Sequence, residues 1–192
     1  MKISLKEKYQ KEVIPEMRKE FGYPSVMAVP RIEKVVVNTG FGKLISGKSG
    51  EESKKVYNGI IDDLATIVGQ RPVVTRAKKS IASFKLREGM PVGACVTLRR
   101  MKMYDFLDRM IHISLPRARD FRGIDQKAFD KKGNLTISVR ENIIFPEISP
   151  ERARSIFGFE ITIVTTAESR EEGIALLKLM GFPLKKIEDE QK

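Results

Sequence analysis

The chain has 192 residues, with 36 lysines and arginines against 25 aspartates and glutamates and a formal net charge of +11. This length suits one domain with a sizeable buried core. The single cysteine, Cys95, excludes an internal disulfide and a multi-cysteine metal site. The opening MKISLKEKYQ lacks the apolar stretch of a signal peptide. No run approaches the roughly 18 apolar residues of a transmembrane helix, so we expect a cytoplasmic protein with no membrane partner.

Positive charge is concentrated in one segment of the chain. Residues 71–100 carry eight cations and one acid, which is seven of the eleven net charges. Such a cluster is typical of a surface that binds a polyanion, either a nucleic acid or an anionic membrane. A surface that only aids solubility does not need its cations in one segment.

The first part of the chain predicts two helices separated by a strand. A capping-box pattern at Ser4 opens the first helix, which Pro15 disturbs or restarts. The β-branched run IEKVVVN over 32–38 predicts a strand. A glycine-rich stretch follows, and helical spacing then predicts an amphipathic helix that Gly69 stops. Its apolar face comprises Val56, Tyr57, Ile60, Ile61, Leu64, Ile67 and Val68.

The next part predicts two strands and a helix. The strands cover 72–75 and 92–99, and apolar residues alternate with others in the longer one. One face of that strand carries Val92, Ala94, Val96 and Leu98, and the other carries Gly93, Cys95, Thr97 and Arg99. Apolar spacing over 103–111 predicts a helix that must end before Pro116.

The last part predicts strands at 134–140 and 161–166 and a final helix that begins at a second capping box. Hairpin-like steps between strands do not fit a doubly wound parallel sheet. We predict an α+β fold, a largely antiparallel sheet with helices packed on one face and the other face open for a partner such as RNA. We treat 1–192 as one domain with a flexible insertion near 42–54 and a frayed tail at 184–192.

The titratable residues do not form a catalytic constellation. His112, the only histidine, lies between two isoleucines and is interpreted as a structural or surface residue. Cys95 lies among Ala and Val, where a small buried hydrophobe is expected. Paired acids at 62–63 and 171–172 fall on helix positions that favour acids without catalysis. We therefore expect no enzyme, no cofactor and no metal site.

Residues Gly42 to Ser49, GKLISGKS, match the phosphate-loop pattern G-x-x-x-x-G-K-[ST]. In such a loop, backbone N–H groups converge on phosphate, Lys48 adds a charge and Ser49 reaches magnesium. The site also needs an acid at the end of an apolar strand and a parallel sheet. The strands GACVTLRR, LTISVREN and EITIVTT end without an aspartate. A flexible loop is the simpler interpretation, and a small nucleotide hydrolase is the alternative.

The basic segment TRAKKSIASFKLREGMPVG connects two predicted strands. It interleaves cations with hydroxyls and one aromatic ring: Arg76, Lys78, Lys79, Ser80, Ser83, Phe84, Lys85 and Arg87. Cations attract phosphates, hydroxyls form hydrogen bonds, and an aromatic ring can pack on a ribose or base. The alternative is a basic hairpin with Phe84 tucked into the core.

Several long segments, in order, resemble the bacterial large-subunit ribosomal protein five family, which carries 5S ribosomal RNA. These segments are IEKVVVNTGFG, GQRPVVTRAKKSIASFKLREGMPVGACVTLR, LPRARDFRG, NIIFPEI, ITIVTTA and the closing GFP. The resemblance covers nearly the whole chain. It implies a structural RNA-binding protein of the central protuberance, without catalysis. A non-ribosomal RNA-binding module is the alternative.

The resemblance also implies which residues meet which RNA. In the family the open sheet face meets 5S RNA, which places Asn38, Gln70 and Thr97 in that site. Their short or flexible neutral groups can reach ribose hydroxyls and base edges. The family's basic loop reaches the elbow of transfer RNA in the peptidyl site, and the matching residues are Arg76, Lys78, Lys79, Ser80 and Lys85.

The stretch from Pro116 to Asn134 resembles the part of the family that contacts small-subunit protein thirteen. This resemblance makes Arg117, Arg119 and Arg122 candidates for a bridge between subunits, and other 5S-associated large-subunit proteins are further expected partners. The chain departs from the family pattern twice. The segment from Gly42 to Lys54 is longer, and an acidic tail extends past Pro183.

Overall fold

The computed structural model describes residues 4–48, 50–148 and 155–185. The chain divides into two compact units. Unit 1 comprises the described parts of Met1–Val35, Leu98–Ile137 and Thr162–Lys192, and unit 2 those of Val36–Thr97 and Ser138–Ile161. That the whole chain acts as one domain stays a prediction.

Five strands form one sheet in the order β2-β3-β1-β5-β4. They are β1 (Ile32–Gly40), β2 (Val73–Arg76), β3 (Pro91–Leu98), β4 (Leu135–Val139) and β5 (Phe159–Thr165). Strands β2 and β3 pair antiparallel, with Val73 opposite Cys95 and Thr75 opposite Gly93. The sheet is antiparallel and accompanied by helices, which confirms the predicted α+β class.

Each long strand buries one of its two faces. In β4, for example, Leu135, Ile137 and Val139 are buried while Thr136 and Ser138 are exposed. Successive side chains point to opposite sides of a sheet, so this alternation gives one face to the core. We call the other side of the sheet, within unit 2, the open face, and its residues include Val36, Asn38, Val73, Cys95, Thr97, Ser138 and Glu160.

The N-terminal helical segment of unit 1 confirms the predicted disturbance at Pro15. It consists of α1 (Leu5–Lys8), a π-helical turn over Tyr9–Val13 and α2 (Ile14–Phe21). The Ser4 side chain accepts a hydrogen bond from the Glu7 amide at 3.3 Å, as the capping box predicts. Pro15 lies in the first turn of α2, where its missing N–H donor is not needed.

The other helices of unit 1 are α5 (Arg100–Arg109), α6 (Leu115–Arg117) and α7 (Arg170–Met180). The prediction that the helical path ends before Pro116 is wrong. A π-helical turn over Met110–Ser114 connects α5 to α6, and Pro116 lies in the first turn of α6. A proline at the start of a helix leaves no donor unpaired, so the path continues through it.

Unit 2 contains α3 (Gly42–Ile45) and α4 (Gly50–Val68). The predicted amphipathic helix is confirmed, and α4 begins six residues before Val56, where the sequence pattern starts. Short 3-10 turns among the described residues of the two units cover Val26–Ala28, Ala82–Phe84, Gln126–Ala128 and Asn142–Ile144.

The predicted insertion near 42–54 has regular structure in its described part. Where the sequence indicated a loop, Gly42–Ile45 forms a helical turn, and the Ile45 side chain is fully buried. The Ser53 hydroxyl lies 3.4 Å from the Ile45 carbonyl oxygen and joins the start of α4 to this turn. The phosphate-loop pattern extends to Ser49, which is outside the described residues.

The first residues of the predicted tail are paired. The Lys185 amide donates to the Ile124 carbonyl oxygen at 2.9 Å, and Leu184 forms an isolated bridge with Ile124. The remainder, 186–192, lies outside the described residues.

In unit 1, Gly133 and Gly173 approach each other too closely for side chains. Gly133 adopts a φ of 71°, and a Cβ atom on it would lie 2.8 Å from the Ser169 carbonyl oxygen. A Cβ atom on Gly173, within α7, would collide with the backbone of Gly133. Neither neighbour is a flexible side chain, so the backbone itself would have to move.

We expect Gly173→Ala to lower the free energy of unfolding by about 1–3 kcal/mol because of this overpacking, although alanine favours a helix. Urea unfolding of the full chain measures the change. Gly50→Ala is the control, since a Cβ atom there meets nothing within 4 Å. If Gly173→Ala and Gly50→Ala raised the free energy of unfolding by the same amount, the packing argument would be contradicted.

Candidate nucleic-acid interface

Asn38, Gln70 and Thr97 all lie exposed in unit 2. Asn38 and Thr97 are on the open face of the adjacent strands β1 and β3. Gln70 follows the end of α4, and its Nε2 atom donates to the Thr97 carbonyl oxygen at 3.5 Å. The structure therefore brings Gln70 to Thr97 and places Asn38 on the neighbouring strand. All three carry neutral groups that can hydrogen-bond to ribose or base edges.

A hollow of about 330 Å³ lies beside Asn38 on unit 2. Its polar and charged lining residues include Ser138, Arg140 and Glu160, none of which was predicted to belong to a site. The alternation of the strand at 134–140 could have identified Ser138, because it shares a face with Thr136. Arg140 follows β4 and Glu160 lies in β5, and only the strand order shows that these strands are neighbours.

The basic segment forms a hairpin beyond the ends of β2 and β3. The Ala77 amide donates to the Met90 carbonyl oxygen at 2.8 Å. Ile81 and Leu86 exchange two backbone hydrogen bonds of 3.1 Å across the tip. A 3-10 turn over Ala82–Phe84 closes it. We call residues 77–90 the basic hairpin.

Phe84 lies at the tip of the basic hairpin with 67% of its surface exposed. The alternative that places this ring in the core is therefore wrong. An exposed aromatic ring among cations is available to stack on a nucleobase.

The residues predicted to contact transfer RNA are all exposed: Arg76, Lys78, Lys79, Ser80 and Lys85. Two of them also hold the hairpin in shape. The Arg76 guanidinium donates to the Gly89 carbonyl oxygen at 3.0 Å, and the Ser80 hydroxyl accepts from the Glu88 amide at 2.9 Å.

The three candidate bridge arginines lie in unit 1. Arg117 ends α6, and Arg119 and Arg122 are exposed in the segment that follows. Asp120 between them has a φ of 53°, so the backbone turns sharply at that point.

The described part of the phosphate-loop pattern, residues 42–48, does not form a phosphate cradle. The amides of Leu44 and Ile45 donate to the Phe41 carbonyl oxygen, and the Lys48 amide donates to that of Ile45. Donors used inside a helical turn cannot converge on a phosphate. The strand before this turn also belongs to an antiparallel sheet, which a phosphate loop does not use.

The remaining candidates do not form a catalytic site. His112 Nδ1 lies 3.1 Å from the Asp108 carboxylate, one turn earlier on the same exposed helical segment. The described ranges contain no group of three histidine, cysteine or acidic residues able to hold a metal ion. No helix within those ranges has the length and apolarity to cross a membrane.

The sequence predicts Cys95 as a small buried hydrophobe, but its side chain is not fully buried. It lies on the open face and is half-buried, because the alternation of β3 gives the core side to Ala94 and Val96. Partial burial raises the pKa of the Cys95 thiol above its ordinary value.

Two family profiles match the chain. The profile described as "Ribosomal protein L5" matches residues 25–87, and "ribosomal L5P family C-terminus" matches residues 91–184. The "Large ribosomal subunit protein uL5" of Geotalea uraniireducens is 53% identical over 181 residues, covering 94% of this chain and 98% of that protein. The protein of that name from Halothermothrix orenii is 52% identical over 93% of this chain and 97% of its own length. That from Chloroflexus aurantiacus is 51% identical over 96% and 99%.

The Cys95 thiol provides a test of the open face. Because its pKa is raised, the thiolate fraction at pH 8 is smaller than in the unfolded chain, and iodoacetamide should alkylate the native protein more slowly. The alkylation rate should also continue to rise at a pH where the unfolded chain has levelled off. The urea-unfolded chain is the control, and the single cysteine makes the readout unambiguous. The pH at which the alkylation rate is half of its maximum should therefore be higher in the native protein than in the unfolded chain. An equal or lower pH in the native protein would contradict the partial burial of Cys95.

Proposed function

Because the chain belongs to the bacterial ribosomal protein L5 family, we propose that it binds 5S ribosomal RNA through the open face and attaches that RNA in the central protuberance. Family membership makes it a structural component of the cytoplasmic large ribosomal subunit and not an enzyme. It also argues against a non-ribosomal RNA-binding module.

The observation that carries the 5S RNA proposal is the exposed polar surface on β1 and β3. Asn38 and Thr97 lie on adjacent strands, and Gln70 reaches the backbone of Thr97. These neutral groups carry no long-range attraction of their own, so they suit the recognition of ribose and base edges at short range. The net charge of +11 supplies the sequence-independent attraction to phosphate. Cations then provide affinity, and the neutral groups provide specificity.

We further propose that the basic hairpin contacts the elbow of transfer RNA in the peptidyl site. Lys78 and Lys79 precede the Ile81–Leu86 pair and are exposed to solvent. The ladder of hydrogen bonds from Ala77 to Met90 fixes their backbone, so the ordering cost of binding is reduced. Ser80 and Lys85 of the same hairpin, with Arg76 at the end of β2, complete the proposed contact.

The bridge proposal places Arg117, Arg119 and Arg122 against small-subunit protein thirteen. It rests on the resemblance of this segment to the family's contact region and on the exposure of all three guanidinium groups. Other 5S-associated proteins of the large subunit are proposed as further partners. A nucleotide hydrolase using Gly42 to Ser49 is not proposed, since the amides of the turn are already paired.

The double substitution of Asn38 and Thr97 by alanine tests the 5S RNA proposal. We expect the dissociation constant for a 5S RNA transcript to rise about thirtyfold, because two hydrogen bonds of about 1 kcal/mol each are lost without loss of charge. Thr66→Ala is the matched control, since its hydroxyl is exposed on α4 and bonds only within that helix. Equal affinities for the double variant and the control would contradict the assignment.

The double substitution of Lys78 and Lys79 by alanine tests the transfer RNA proposal. Ribosomes that carry this variant should release deacylated transfer RNA from the peptidyl site faster, while binding of 5S RNA to the free protein stays near wild type. Lys6 and Lys19 are exposed lysines outside both the basic hairpin and the stretch from Pro116 to Asn134, and their double alanine variant should release transfer RNA at the wild-type rate. Faster release from the control ribosomes alone would contradict the proposal.

A further inference from the structure

A large basic cleft lies within unit 2, between the first turns of α3–α4 and the basic hairpin. Its volume is about 1040 Å³, at the upper end for ligand-sized pockets. Among its described lining residues five are cations and none is an acid. These cations are Lys48, Lys54, Arg76, Lys85 and Arg87.

Both walls of the basic cleft are held by contacts. On the helical wall, Ile45 is fully buried, and the Ser53 hydroxyl lies 3.4 Å from the carbonyl oxygens of Ile45 and Lys48. The Tyr57 ring stacks on Phe41 at 6.1 Å between ring centroids. The hairpin wall is fixed by the hydrogen bonds of Arg76 and Ser80. These contacts fix the positions of both walls, so the shape of the cleft is determined by the folded structure and not by two unattached loops.

The charge of the cleft selects the class of its ligand. Five cations in a concave surface focus a positive potential and repel one another until an anion enters. Tyr57 is half-exposed in the same lining and offers an aromatic surface. Cations that follow a backbone, together with an aromatic platform, are the usual components of a groove for single-stranded nucleic acid.

We propose that the basic cleft binds a single-stranded segment of ribosomal RNA, with Lys48, Lys54 and Arg76 on its phosphates and Tyr57 beside a base. The inference rests on the proposed function as an RNA-binding ribosomal protein and adds a site to it. The basic hairpin then serves two RNAs. Lys78 and Lys79 do not line the cleft and serve transfer RNA alone, while Arg76, Ser80 and Lys85 line the cleft and belong to both proposed sites.

The proposal also gives a role to the phosphate-loop pattern. Gly47 and Lys48 of that pattern line the cleft, but the backbone donors of the turn are paired internally. The Lys48 ammonium group, not a cradle of amides, would therefore meet phosphate. A site built from separated side-chain charges suits a phosphodiester chain, whose charges are spaced along the strand, better than a compact triphosphate.

The test uses the full chain and fluorescein-labelled decauridylate. The double variant Lys48→Ala, Lys54→Ala should bind about tenfold more weakly, with a log–log salt slope smaller by roughly 1.4. The control is Lys19→Ala, Lys55→Ala, which removes the same charge from exposed lysines outside the cleft. The charge-retaining variant Lys48→Arg, Lys54→Arg should bind like the wild type.

Each other outcome overturns part of the account. Equal weakening in the cleft variant and the control, with 5S RNA still bound by the wild type, would overturn the cleft and leave the proposed function standing. Wild-type protein that binds neither decauridylate nor a 5S RNA transcript would overturn both. Saturable binding of ATP, abolished by Lys48→Ala, would replace the RNA site with a nucleotide site.

Discussion

One-sided burial of the five-stranded sheet is the constraint on which the other surfaces depend. Core side chains such as Val37, Val96 and Ile161 are fully or almost fully buried, and each contributes about 1.5–3 kcal/mol on leaving water. The period of two residues then leaves their neighbours in the strands on the opposite side. A shift of one residue in the pairing of any strand would turn its buried side chains toward solvent and its exposed side chains toward the core. The same hydrophobic pattern that stabilises the core therefore presents Asn38 and Thr97 to a partner.

The pairing of β2 with β3 also determines the position of the basic hairpin, which continues from these two strands. Thr75 lies opposite Gly93, and an irregularity after Thr75 shifts the pairing by one residue, so that Arg76 lies opposite Pro91. The shifted pairing continues into the hydrogen bond between Ala77 and Met90 and thus determines where the hairpin closes. The hairpin in turn forms one wall of the basic cleft, and the start of α4 forms the other. The open face, the hairpin tip and the cleft are all parts of unit 2. Their proposed roles differ because neutral groups dominate the first and cations dominate the other two.

The sequence predicted the features that depend on residues near one another in the chain, such as the alternation of side chains in a strand or the spacing of apolar residues in a helix. The alternation of β3 and the helical spacing of α4 gave both elements correctly, and the positions of the exposed Thr97 and buried Leu64 followed from them. Pro116 was misread because a proline can end one helix or begin the next, and the π-helical turn before it leaves no pattern in the sequence.

The parts that could not be predicted depend on contacts between distant residues. Whether Phe84 packs inside or stays exposed depends on where the hairpin closes, which spacing alone does not determine. Ser138 and Glu160 come beside Asn38 only through the order of the strands. The cleft requires Lys54 and Lys85, which are far apart in sequence, to line one cavity. The identities of these residues were visible in the sequence, but their proximity was not.

Hydroxyl-radical footprinting of the full chain, with and without 5S RNA, tests the central claim most directly, because it reports side-chain exposure without any substitution. The account predicts that RNA protects Cys95 and Val73 on the open face; Val73 is 71% exposed in the free protein. Met27 and Met101 are 82% and 49% exposed, lie outside the open face and should oxidise equally in both states. Protection of these two methionines, with Cys95 and Val73 unchanged, would contradict the claim that the open face binds 5S RNA.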